Sequence, residues 1–178
     1  MDHFAEQLVK KQQGSAAKTR YMTLLICGIL LVIAIVLLSL VLGAPLTFVG
    51  FLLAAAVGYG IYFKLQEMDV EYEYTFTNGE LDVDKIIAKK KRKAMLTVNV
   101  SKFSEFSRYS DDLPETEDMT VVIASDNIAS NEYYADFEHE EYGKTRLIFS
   151  PNEKMIENIK TALPRSLRVK LEKESHEG

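Results

Sequence analysis

Residues 21–63 form 43 consecutive positions without a charged side chain, while all 21 Lys and Arg and all 26 Asp and Glu lie outside that run. Elements of a soluble domain mix polar and apolar residues, so an uncharged stretch of this length is suited to lipid rather than water. The near-zero mean hydropathy of −0.05 is an average over two different materials. One is a membrane segment; the other is the roughly 115 residues after it, which carry most of the charge and are enough for one small domain.

Residues 21–42 (YMTLLICGILLVIAIVLLSLVL) suffice to cross a hydrocarbon core of about 30 Å at roughly 1.5 Å per residue. Gly43, Ala44 and Pro45 interrupt the run, and residues 46–63 supply a second crossing, so the short link requires an antiparallel helical hairpin. The first run exceeds the apolar core of a signal peptide, about 7–15 residues, and Pro45 would hinder cleavage beside the small residues. Cys27 follows Leu24, Leu25 and Ile26 instead of the small residue a lipid-attachment box needs, and reads as an inert thiol. Lys10, Lys11, Lys18 and Arg20 precede the first span and Lys64 follows the second. Basic flanks around an uncharged loop predict a multi-pass protein of the cell membrane with both termini cytoplasmic.

Gly50, Ala54 and Gly58 recur every fourth residue in the second span, a spacing that lets helix backbones approach closely. Packing against the first span is one reading, a homo-oligomer seam the other; a hairpin already needs one close interface, which favours the first. Neither span holds an ionisable residue, which argues against a transporter or channel. Residues 1–20 are polar, with Phe4 and Leu8 one helical turn apart, and read as a short interfacial helix or a frayed cytoplasmic tail.

Residues 64–164 read as a β domain. Val70, Tyr72, Tyr74 and Phe76 alternate with Glu71, Glu73, Thr75 and Thr77, and Asn78-Gly79 leads into a second strand over 80–88, a hairpin by sequence alone. Further strands are expected at 96–100, 102–110 (with a bulge to fit Phe103, Phe106 and Tyr109), 119–125, 132–138 and 143–149. Ser150-Pro151-Asn152-Glu153 then resembles a helix start with Ser150 as cap. Met155, Ile156, Ile159, Ala162 and Leu163 make one apolar stripe ending at Pro164, and residues 165–178 read as a charged tail.

Seven strands in meander order followed by one amphipathic helix match the element order of pleckstrin-homology-like (PH-like) barrels. The opening Met1, Asp2, Phe4, Glu6, Gln7, Leu8 and Val9 resembles an uncharacterised family of small, two-span membrane proteins of Clostridia-type bacteria, and YEYTFTNGEL (residues 72–81) is similar to the first hairpin of bacterial PH-like domains. The resemblance implies an α+β chain: a transmembrane helical hairpin, then a seven-stranded PH-like β-barrel capped by a C-terminal helix. It brings no catalytic residues.

No phosphate-cradling glycine loop is present. One Cys and three scattered His argue against a metal centre, a redox pair or a Cys/His nucleophile. The pairs Asp111-Asp112 and Glu140-Glu141 lie in polar stretches that would not raise a pKa, and His139 stands alone among acids. The chain reads as non-enzymatic, without cofactor. Its remaining signal is charge: Lys89, Lys90, Lys91, Arg92 and Lys93 are consecutive, whereas residues 105–141 hold twelve Asp or Glu against one Arg. The run reads as a solvated turn, a contact for anionic lipid headgroups, or a partner for an acidic surface, including the chain's own acidic stretch. Nucleic acid is disfavoured by the acidic balance and the lack of interleaved aromatics. Two functions compete: a membrane-anchored module presenting a cytoplasmic PH-like interaction domain to a protein or lipid partner, and an accessory subunit of a larger membrane complex.

Overall fold

The structure, a computed structural model, describes residues 3–12, 14–110, 112–114 and 118–177. The chain divides into two compact units, residues 13–70 and residues 1–12 with 71–178.

The first unit is a helical hairpin, α1 (Ser15–Val41) and α2 (Ala44–Glu67). Both helices extend beyond the spans read from the uncharged run, and both are long and apolar enough to cross a membrane. Gly43 makes the turn at φ +94°, a conformation costly for any residue with a Cβ. Pro45 sits in the first turn of α2, where its missing N–H breaks no helical bond.

The second unit begins with the strand that sequence reading missed. Residues 4–10 are neither interfacial helix nor tail but β1 (Phe4–Lys10), paired antiparallel with β2 (Val70–Thr77) from Phe4↔Thr77 to Lys10↔Glu71. The helical hairpin is therefore an insertion between two neighbouring strands. β3 (Glu80–Ile87) and β4 (Lys91–Asn99) complete a sheet in the order β1-β2-β3-β4. Asn78 and Gly79 take φ +48° and +97° in the β2–β3 turn, the geometry their side chains tolerate best.

The second sheet holds β5 (Glu105–Arg108), β6 (Thr120–Ala124), β7 (Tyr133–His139) and β8 (Gly143–Phe149) in the order β5-β7-β8-β6. Eight strands replace the expected seven, and β6 lies parallel to β8, so the order is not a meander. The strands form two four-stranded sheets, with no closed barrel among the described residues. The expected bulged strand at 102–110 is shorter, because a 3-10 turn at Val100–Lys102 precedes β5; Phe103 and Phe106, three apart, are both buried across that bend.

Tyr74, Phe76, Leu81, Val83, Phe106, Leu147 and Phe149 are fully buried between the sheets, each large side chain contributing about 1.5–3 kcal/mol by burial. Helix α3 (Glu153–Ala162) covers this core with Met155 and Ile159. Its cap is Asn152, whose side chain accepts from Met155 N at 2.8 Å, not Ser150. The Ser150 hydroxyl is engaged elsewhere, donating to Asp126 Oδ1 at 2.7 Å. Residues read as a charged tail form α4 (Arg165–Glu177), with Leu167 and Leu171 buried.

Candidate functional site

The basic run occupies the β3–β4 turn and the start of β4. β1 runs toward Lys10 and β2 away from its partner Glu71, so the chain departs for the helical hairpin and returns from it at one end of the sheet. β3 runs back to that end, where the turn at Ala88, Lys89 and Lys90 closes with Lys90 N donating to Ile87 O at 3.1 Å. Strand direction thus places Lys89, Lys90, Lys91, Arg92 and Lys93 at the end of the sheet where β1 finishes and β2 begins.

The five residues are not equivalent. Across the β3–β4 pair Ile86 faces Arg92, Lys85 faces Lys93 and Ile87 faces Lys91, and directly paired residues share a face. Arg92 points to the outer face, where it pairs with Glu73 through Nη2 and lies 3.7 Å from Asp84 Oδ2 through Nη1. Burial raises the Glu73 carboxyl above its ordinary value; Arg92 opposes this, while Glu6, by charge and a side-chain hydrogen bond, and Asp84 raise it further. Among the described residues, internal neutralisation of the run involves Arg92 and comes from Glu73 and Asp84 of the first sheet. Lys89, Lys90, Lys91 and Lys93 are exposed and form no ion pair among the described residues.

Gly50 and Ala54 face α1: a Cβ on Gly50 would come within 2.1 Å of Ser39 Cβ, and Ala54 is buried. A Cβ on Gly58 would lie 4.0 Å from Val32, an ordinary contact. Gly50 is thus the position of the three at which α1 comes too close for a larger residue.

Other groups serve structure. His139 stacks on Tyr142 with ring centroids 4.7 Å apart, and its Nδ1 accepts from the Glu141 N–H at 3.2 Å. Glu140 lies 3.6 Å from Lys102, and Asp111 falls outside the described residues. Arg146 forms a fork on Asp136, both bonds 2.7 Å, with its guanidinium 5.0 Å from the Tyr134 ring centre. A groove of about 400 Å³ runs past Gln7, Arg108, Asp126, Asn131, Tyr133 and Glu153. Its central Asp126 is consumed by Ser150, Asn131 and the Ile128 N–H. Nearby, the Tyr74 hydroxyl donates to Ala124 O and accepts from Ser150 N, and burial pushes its phenol far up. Among the described residues no group of three or more His, Cys, Asp or Glu is arranged to hold a metal ion. Sequence reading missed Lys85, which is isolated in sequence and joins the lysines only through strand register.

Residues 1–169 match the family described as Bacterial PH-like domain (DUF6106), and the chain belongs to that family. The match includes the segment before the helical hairpin, in agreement with β1 being part of the domain. No curated protein and no solved structure matches the chain.

Proposed function

We propose that this chain is a membrane-anchored, non-enzymatic interaction module that crosses the cell membrane twice and presents its PH-like domain to the inner leaflet with the basic β3–β4 turn toward the headgroups. One observation carries the reading. The chain leaves the first sheet after Lys10 and re-enters it at Glu71, its cross-strand partner, so a hairpin that spans the bilayer returns to the side it left. The basic turn closes at that same end. Lys10, Lys11, Lys18, Arg20 and Lys64 flank the helices while their loop carries no charge, which supports a cytoplasmic location for that side. Only Met68 and Asp69 separate α2 from β2, so the domain stays within headgroup reach. Each lysine near an anionic surface contributes about 1 kcal/mol, and two or three suffice to orient the domain ten- to a hundredfold.

The test is thiol accessibility in intact cells, in chains carrying Cys27→Ser. Cysteines introduced at Asp2, Ala44 and Gly178 are challenged with a membrane-impermeant reagent. Labelling is expected at Ala44→Cys alone; labelling of Asp2→Cys or Gly178→Cys overturns the assignment.

A further inference from the structure

Two connections in the first sheet each hold two successive residues with positive φ. At one end of the sheet the pair is Asn78 and Gly79, at φ +48° and +97°, the residues that such a turn favours. At the other end it is Ala88 and Lys89, both at φ +55°. Neither is suited to the left-handed region, where a Cβ crowds the following carbonyl and Asn or Gly is the usual occupant. The same chain thus puts positive φ on favourable residues at one end and on unfavourable ones at the other, and the unfavourable pair places a lysine at the tip.

A second cost lies immediately beside it. Lys85 is directly opposite Lys93, a like-charge cross-strand pair that destabilises a sheet. Lys91, opposite Ile87, shares that face. It is the face opposite Arg92, so Glu73 and Asp84 do not neutralise it, and none of Lys85, Lys89, Lys91 and Lys93 has an ion pair among the described residues. A solvated turn has no need of this arrangement, whereas a bound anion relieves the repulsion and makes use of the strained lysine.

Resting on the membrane reading above, we infer that Lys85, Lys91 and Lys93, with Lys89 at the tip, form a seat for the phosphates of anionic lipid headgroups. The strained turn and the opposed lysines are the two features that this contact offsets. Arg92, although in the middle of the run, is not part of the seat; it holds β4 to β2.

The test uses the full chain in three preparations: neutral phosphatidylcholine nanodiscs, discs containing phosphatidylglycerol, and neutral discs with added inorganic phosphate. The readout is the melting temperature of the β domain. The wild type is expected to melt higher in phosphatidylglycerol discs by about 4 °C or more, and to be unaffected by inorganic phosphate. Lys89→Gly, which relieves the turn, and Lys93→Ser, which relieves Lys85, should each melt higher than wild type in neutral discs. Both should lose most of the phosphatidylglycerol increment, whereas Lys154→Ser on α3 keeps it. Variants that keep the whole increment, or that gain nothing in neutral discs, overturn the seat. An equal increment from inorganic phosphate overturns the lipid as its occupant. A wild type with no increment in any preparation removes headgroup orientation itself, a separable failure.

Discussion

Gln7 accepts a hydrogen bond from the backbone N–H of Asn152 at 2.8 Å across 145 positions of sequence. Its amide also donates to Ser150 O at 2.9 Å, so a single side chain ties the strand before the helical hairpin to the cap of the helix that closes the core. Backbone bonds reinforce the tie at both ends of β1: Asn78 N donates to His3 O, and Gln12 N to Asp126 O, each at 2.9 Å.

Gln7→Ala leaves the part-buried Ser150 carbonyl and the exposed Asn152 N–H without their partner and should destabilise the β domain by about 1–2 kcal/mol. A fragment starting at Met68 lacks β1 altogether and should unfold readily. Adding a synthetic peptide of residues 1–12 should restore its melting transition in a concentration-dependent way. A fragment equally stable with and without the peptide would show that β1 is dispensable.

Ile159 is 0% exposed on the inner side of α3. Ile159→Asp buries an unpaired carboxylate and should cost several kcal/mol, out of a typical total of about 5–15. Thermal unfolding in detergent micelles measures it, with Glu157→Asp on the exposed side as the near-neutral comparison.

Gly50 and Gly60 separate close packing from mere helix content. A Cβ at Gly50 meets Ser39 at 2.1 Å, whereas nothing lies within 4 Å of one at Gly60. Gly50→Leu should push α1 and α2 apart and Gly60→Leu should not. Disulfide trapping between cysteines placed across the two helices reads the difference.

Glu73 ties stability to pH. Its carboxyl is raised in the folded domain, chiefly by burial, so the folded state holds its proton to higher pH than the unfolded chain does. Between the unfolded and the folded value, stability falls as pH rises. Glu73→Gln removes this titration, so the variant should gain on the wild type from acidic pH toward neutral. A constant difference between their melting temperatures across that range would contradict it.

Legibility in the sequence depended on where each apolar side chain points. The β2–β3 hairpin and the two long helices follow from alternation, Asn78-Gly79 and the uncharged run. β1 was illegible because its signal is inverted: Phe4 and Leu8, its large apolar residues, are 52% and 57% exposed, while Ala5 and Val9 are buried and Gln7 faces inward beside them. A spacing of four mimics a helix. The parallel pairing of β6 with β8 depends on chain reversal through residues 125–149, which no local pattern encodes. Helix α4 shows Leu167 and Leu171 as its inward apolar residues, with Val169 exposed between them, among charges. The Lys85–Lys93 pair depends on register, which shifts between Val83 and Asp84 and leaves Met95 unmatched.

The insertion between β1 and β2 also fixes an order of events during biosynthesis. Sixty residues separate Lys10 from its partner Glu71, a delay of roughly three to twelve seconds at about 5–20 residues per second. Throughout that interval the ribosome is translating the apolar helices, and the first strand has no mate. The sheet can close only once the helices have emerged and both of their ends lie in the same compartment. Under the proposed two-span topology, a chain with one helix threaded through would hold its two strands on opposite sides of the bilayer and could not close the sheet, so folding would act as a check on insertion.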